Sequence, residues 1–186
     1  MELKKLFRET EEEMKKALLA VEREFSELRT GRANPKIVEG LRINYYGTPA
    51  LLKEIASISV PEARLILIHP WDPNVIKDIE KAIFESNIGI TPSNDGKVIR
   101  LVVPPLSAER REELIKLARK IAEEGRVSVR TIRKEANQKL KDLEKERKIS
   151  EDERFKAQEE VQKLTDKYIE EINKVLETKE RGLQEF

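Results

Sequence analysis

Four arginines, Arg119, Arg126, Arg130 and Arg133, recur at intervals of seven, four and three residues, with Lys116 before them and Asn137 after. On a helix of ~3.6 residues per turn those intervals return to one face. A guanidinium stays charged and holds its donors in a planar fork suited to phosphate oxygens, so such a row is a candidate nucleic-acid contact. The commoner use of arginines on a helix is different: a solvated bundle face paired with an acidic neighbour. Charge counts keep both uses open, because residues 106–148 carry 14 basic and 9 acidic side chains while residues 149–186 carry 7 and 11. Residues 1–30, with 7 and 8, are nearly balanced.

Other chemistry is sparse. His69 and Asp72 flank Pro70-Trp71 and can be written as an acid/base pair, but a lone His and Asp beside a turn are ordinarily structural. The chain has no cysteine and one histidine, which removes thiol nucleophiles, cysteine zinc sites and nearly all His-based metal and triad chemistry. There is no Gly-rich phosphate loop. Aromatic residues make up 5% and do not interleave with the arginines, which argues against a single-strand stacking platform. The longest apolar run, Ala17 to Val21, is far short of the ~20 residues of a membrane span, and the first 16 residues have no signal-type apolar core. The reading is a soluble, cytoplasmic protein that is not an enzyme, needs no cofactor or metal and touches no membrane. It binds a partner through backbone and shape.

The elements that must position these residues follow from where proline falls. All eight prolines lie between Pro35 and Pro105. Proline lacks an N–H and clashes with the preceding helical turn, so the flanks are free to form long helices and the middle is not. Half of the flanking residues are charged, against about a quarter of residues 31–104. In the first flank Phe7, Met14, Val21 and Leu28 stand seven apart, with Leu3, Leu18 and Phe25 between, one apolar stripe on a helix of ~42 Å over residues 2–29. Glu11/Lys15 and Glu12/Lys16 are expected as supporting pairs on its outer side. A second helix is expected from the N-cap Ser107 to about Lys148, with a seam of Leu114, Leu117/Ala118, Ile121, Gly125, Val129 or Ile132, Ala136, Leu140 and Leu143. Ser150, followed by Glu151, Asp152 and Glu153, is a capping-box start for a third helix. Its stripe is Phe155, Val161, Leu164, Tyr168, Ile172, Val175/Leu176 and Leu183. Three one-faced helices bury their stripes against each other, which predicts an antiparallel three-helix bundle built from both ends of the chain, residues 1–30 and 105–186.

Residues 31–104 show the other period and predict an inserted β/α/β sandwich domain. Val38–Tyr46, Ile55–Val60, Arg64–His69 and Lys97–Val103 are short β-branched or aromatic runs separated by turn sequences. One amphipathic helix, about Pro73 to Asn87, turns Val75, Ile76, Ile79, Ala82 and Ile83 inward. The class is α+β. The insertion leaves and rejoins the bundle at Thr30-Gly31 and at Pro104-Pro105, a double connection that reads as a hinge, with Gly31 free to take a positive φ, or as a plain domain boundary.

Several segments then carry a resemblance over nearly the whole chain. They are Leu28-Arg29-Thr30-Gly31-Arg32-Ala33-Asn34-Pro35, Tyr45-Tyr46-Gly47-Thr48-Pro49, Ser86 to Pro92, Gly96 to Leu101 and Pro104 to Arg111. Val129-Arg130-Thr131-Ile132-Arg133-Lys134-Glu135-Ala136-Asn137, Ser150-Glu151-Asp152 and Val161 to Asp166 complete the set. Together, in this order, they resemble the bacterial ribosome recycling factor family. Two departures are visible: Leu51, where many relatives carry a second proline, and Lys134-Glu135, where Arg-Asp is frequent. The resemblance implies an L-shaped, monomeric factor of roughly transfer-RNA dimensions whose helical arm binds the rRNA of the large ribosomal subunit after termination. With elongation factor G and GTP it would separate the subunits. The family's rRNA-contacting positions map to Arg29, Gly31, Arg32, Arg130 and Arg133, with Arg126 and Asn137 as additional contacts from the same row. Arg130 and Arg133 would then lie ~35–40 Å along the second helix from its start. The rival from another class is a coiled-coil adaptor or holdase chaperone, which predicts no ribosome association.

Overall fold

A computed structural model describes residues 2–28 and 30–184. In chain order its elements are helix α1 (Glu2–Glu27), strands β1 (Arg42–Tyr45) and β2 (Thr48–Leu51), the single turn α2 (Leu52–Ile55), strands β3 (Ala56–Glu62) and β4 (Leu65–Pro70), helix α3 (Ile76–Glu85), strands β5 (Pro92–Asn94) and β6 (Ile99–Val102), and helices α4 (Ala108–Lys145) and α5 (Glu151–Gln184). Among the described residues they form two compact units, one from residues 2–28 and 108–184, the other from Thr30–Ser107.

The first unit is α1 packed against α4 and α5. Met14, Val21 and Phe25 of α1 meet Ala118, Ile121, Ala122 and Val129 of α4 and Tyr168 and Ile172 of α5 in one buried cluster. Leu6, Ala136, Leu140, Ile149, Ala157 and Val161 form a second cluster toward the other end. Burial of the larger of these side chains, Val, Leu, Ile, Met and Phe, contributing ~1.5–3 kcal/mol each, holds helices whose outer faces are mostly charged. Gly125 of the expected seam is buried where α4 approaches α1 closely: a Cβ there would overlap Val21 Cγ2 and lie 3.4 Å from Ile172 Cδ1.

The capping box forms as expected, Glu153 N donating to Ser150 Oγ at 3.2 Å and Ser150 N to Glu153 Oε2 at 2.7 Å. Those backbone and hydroxyl contacts hold the Glu153 carboxyl below its ordinary pKa. The end of α4 closes on Arg147 at φ 58°, with Arg147 N donating to Glu144 O and Lys148 N to Leu143 O, both 2.9 Å, a Schellman arrangement at a residue that is not glycine.

Three details of the expected stripes are corrected. Leu117 and Phe155 are exposed at 42% and 51%, because the helix phase puts Ala118 and Ala157 inward in their place. Phe155 lies instead under the Arg154 guanidinium, 4.2 Å from ring centroid to Cζ. The outer pairs of α1 are also different: Lys16 bonds Glu13 at 2.9 Å, and Glu11 reaches across to Lys167 of α5 at 3.0 Å and to the Tyr168 hydroxyl at 3.1 Å.

The second unit holds a two-stranded antiparallel hairpin, β1-β2, and a four-stranded antiparallel sheet in the order β3-β4-β6-β5. Ile66 and Ile68 of β4 with Ile99 and Leu101 of β6 are fully buried and share one core with Ile76, Ile79 and Ile83 of α3. The strand expected over Val38–Tyr46 is shorter than its apolar pattern. Asn34 Oδ1 accepts from Lys36 N at 3.0 Å and caps a 3-10 turn over Pro35–Ile37, and the strand begins only at Arg42. The short β2 and β5 had no β-branched run to announce them; both contain proline and lie at sheet edges.

Candidate nucleic-acid interface

The arginine row lies along α4, but its members have different surroundings. Arg119 Nε donates to Glu180 Oε1 of α5 at 2.5 Å. Arg126 is turned furthest in, its side chain 18% exposed, with Nη1 donating to Asn173 Oδ1 at 2.7 Å and Nε to Glu123 Oε2 at 2.9 Å. Both tie α4 to α5, so for these two the pairing role open in the sequence is the one the bundle uses. Arg130, 43% exposed, bonds Glu123 alone among the described residues, at 3.1 Å on its own helix. The Arg126 and Arg130 guanidiniums together hold the Glu123 carboxyl below its ordinary pKa. Arg133 Nη1 meets a neutral partner, Gln162 Oε1 of α5, at 3.4 Å. Gln162 in turn donates to Asp166 at 2.8 Å. Arg130 and Arg133 each commit one of five guanidinium donors, neither to a carboxylate of α5, and keep the rest for an external acceptor, whereas the half-buried Arg126 commits two. Asn137 Oδ1 is buried and accepts no hydrogen bond among the described residues.

Of the positions expected at the first connection, Arg29 lies outside the described residues. Arg32 is exposed and Gly31 is buried, and both belong to the smaller unit. Gly31 does not use the positive φ expected of it; the positive-φ glycines are Gly47, Gly89 and Gly96. Its small size is needed for a different reason. A Cβ at Gly31 would stand 3.3 Å from both Leu106 Cγ and Leu106 N, with Pro105 Cα 3.9 Å away, so the segments after Thr30 and after Pro104 run against each other.

His69 and Asp72 do not form an acid/base pair. His69 is exposed at the end of β4, opposite Ser57. The Asp72 carboxylate accepts from the Tyr46 hydroxyl and, at 3.0 Å, from Asn74 N, capping the 3-10 turn over Pro73–Val75. The Tyr46 contact, then the Asn74 backbone, hold the Asp72 carboxyl below its ordinary pKa. The sequence hint of this link was Tyr46-Gly47, a turn with both residues at positive φ. Among the described residues no group of His, Asp and Glu has the arrangement of a metal site, and no helix is long and apolar enough to cross a membrane.

Fold and site together define a helical bundle with a guanidinium-bearing face, joined by two connections to a small sheet unit. The family model of ribosome recycling factor matches residues 21–183, and the chain belongs to that family. The chain is 50% identical over 181 residues to the ribosome-recycling factor of Natranaerobius thermophilus, covering 97% of this chain and 98% of the relative. It is 52% identical over 178 residues to that of Heliobacterium modesticaldum, covering 96% of each. A solution structure of ribosome recycling factor superposes with a TM-score of 0.72 at 46% identity, over 100% of this chain and 99% of the other. A second similar structure, at TM-score 0.61, 44% identity and 97% and 98% coverage, is a model of the T. thermophilus ribosome recycling factor and E. coli elongation factor G bound to the E. coli post-termination complex.

Proposed function

We propose that this chain binds the ribosome after termination and, with elongation factor G and GTP, separates the subunits for another round of translation. The observation that carries the reading is the end-to-end similarity to ribosome recycling factors, one of them placed with elongation factor G on a post-termination complex. The bundle serves as the anchor. Arg130 and Arg133 contact rRNA phosphates of the large subunit, and Arg29, Gly31 and Arg32 contact it at the first connection. Of the two additional contacts, Arg126 supports the first pair mainly by bonding Asn173 of α5, and Asn137 follows the arginines in the same row.

No bond chemistry is required of this chain. The free energy comes from the partner's GTP, and the chain transmits force. Long helices packed on two buried clusters resist bending, and Thr30-Gly31 and Pro104-Pro105 are the points at which the smaller unit pivots. The factor works as a monomer in the cytoplasm. The deciding experiment is sedimentation of post-termination ribosomes with this protein, elongation factor G and GTP. Free subunits are expected, and ribosomes that stay joined while the GTPase is active would overturn the reading.

A further inference from the structure

The arginines are only one side of α4. At ~100° per residue, Lys116, Lys120, Lys134, Lys141 and Lys145 fall within roughly 60° of arc, with Val127 among them and Arg130 at the edge. That arc is opposite the buried line of Leu114, Ala118, Gly125, Val129 and Ala136 and apart from the α5-facing side that holds Arg119, Arg126 and Arg133.

All five lysines are exposed, and among the described residues none has an ion-pair or hydrogen-bond partner. By contrast Lys5, Lys16, Lys163, Lys167 and Lys174 each lie within 4.0 Å of a carboxylate. Lys4, Lys15, Arg23, Lys139 and Lys156 are also without an ion pair among the described residues, but only the five lysines of the α4 arc gather on one helix face. The stretch of the arc between Lys116 and Lys145 contains one carboxylate, Glu123, and Arg126 and Arg130 already bond it. A chain near neutral overall thus has one helix face of net positive charge, ~44 Å long, bordered by Glu112, Glu113, Glu124 and Asp142. Val127 stands 51% exposed in its middle. Five lysines of one face without a carboxylate contact are favourably placed beside a polyanion, whose condensed counterions they displace.

We infer that the outer face of α4 is a second RNA-binding surface, along which a phosphate backbone of the large-subunit rRNA runs and is contacted by Lys116 and Lys120 at one end and Lys134, Lys141 and Lys145 at the other. This rests on the proposed ribosomal function and extends the contact from the α4–α5 edge to the solvent side of the helix. Lysine suits such a surface because it contributes a mobile point charge that follows a backbone without demanding a fixed geometry, as the arginine fork does.

The test uses the full chain, isolated large subunits and protein-free large-subunit RNA, with affinity measured across a salt series. Three proteins are compared with wild type: K134Q/K141Q/K145Q, R133A, and a control, K5Q/K15Q/K16Q, that removes the same charge from α1. The stripe variant is expected to lower the slope of log K against log salt by about 2–3, near one per lysine, and to weaken binding on the order of tenfold or more at moderate salt. The α1 control is expected to change little. A stripe variant with the wild-type slope, or a control that loses as much, overturns the inference, and the R133A result then still reports on the arginine contacts. Loss on subunits with unchanged binding to free RNA also overturns it, assigning the face to an acidic protein. Wild-type protein without affinity for either target overturns both this inference and the proposed function. Unaltered melting of the stripe variant, whose lysines have no ion-pair partner to lose among the described residues, excludes misfolding as the cause.

Discussion

Replacing Gly125 by alanine sets two effects of opposite sign against each other in one helix. Glycine in a helix interior costs ~0.5–1 kcal/mol relative to alanine, so on propensity alone G125A stabilises α4. The surroundings oppose this. The new methyl would overlap Val21 Cγ2 and touch Ile172 Cδ1 at 3.4 Å, in a cluster where Ile172 is fully buried and Val21 3% exposed. Val21 is β-branched and stiff about χ1, and α1 cannot retreat from α4 without also lifting Met14 and Phe25 from the same core. Overpacking of this kind costs ~1–3 kcal/mol, so the net expectation is a loss of about 1–2 kcal/mol. In a chain of this size that lowers the melting temperature by roughly 2–8 °C. Thermal and urea unfolding followed by circular dichroism measure it. V21A should cost ~1–2 kcal/mol alone by leaving a cavity, and V21A/G125A should be more stable than the sum of the single losses, because the added methyl occupies that space. G125A with unchanged or raised stability, or strict additivity in the double variant, would show that α1 and α4 are not in close contact at Val21 and refute the packing argument.

Arg133→Ala should weaken large-subunit binding by ~1–3 kcal/mol with an unchanged melting temperature, whereas Arg126→Ala should cost about 0.5–1 kcal/mol of stability, through the lost packing of its half-buried stem and its bond to Asn173 of α5; titration and melting of both variants check the division. Arg147→Gly should raise stability by about 0.5–1 kcal/mol in urea unfolding, since the left-handed φ of 58° is strained for arginine and unstrained for glycine. Lys167, then Tyr168, lower the Glu11 pKa in the folded chain. The unfolded state therefore binds the proton more readily, so the Glu11 contribution is complete above the ordinary value of about 4.5 and is lost as pH falls through the folded value. Accordingly Glu11→Gln should cost about 0.5–1 kcal/mol near neutral pH and progressively less as the pH is lowered below about 4.5, and unfolding curves across that range measure the difference.

Sequence alone determined the features that depend on local chemistry and period. Proline confined to residues 35–105 separates the helical flanks from the sheet segment, because no compensating contact restores a hydrogen bond the proline cannot donate. The Ser150–Glu153 capping box and the α1 stripe of Met14, Val21 and Phe25 follow from spacing alone, and the structure has them where the spacing puts them. The arginine row was legible as a row, since periodicity reports which residues share a helix face. Periodicity does not report what stands opposite that face. Whether a given guanidinium meets Glu180, Asn173 or Gln162 depends on the rotation of α5 against α4, a product of core packing summed over both helices. That rotation divides a uniform row: Arg119 and Arg126 meet Glu180 and Asn173 of α5 closely, Arg133 meets the neutral Gln162 at 3.4 Å, and Arg130 bonds within its own helix. The same holds for Gly31, whose need for a bare Cα comes from Leu106, 75 residues further along the chain, and not from its own φ. Short edge strands, helix phase at Leu117 and Phe155, and the partners of long charged side chains were decided by tertiary structure because each turns on which surfaces come together, and apolar burial is largely indifferent to which polar groups it brings along.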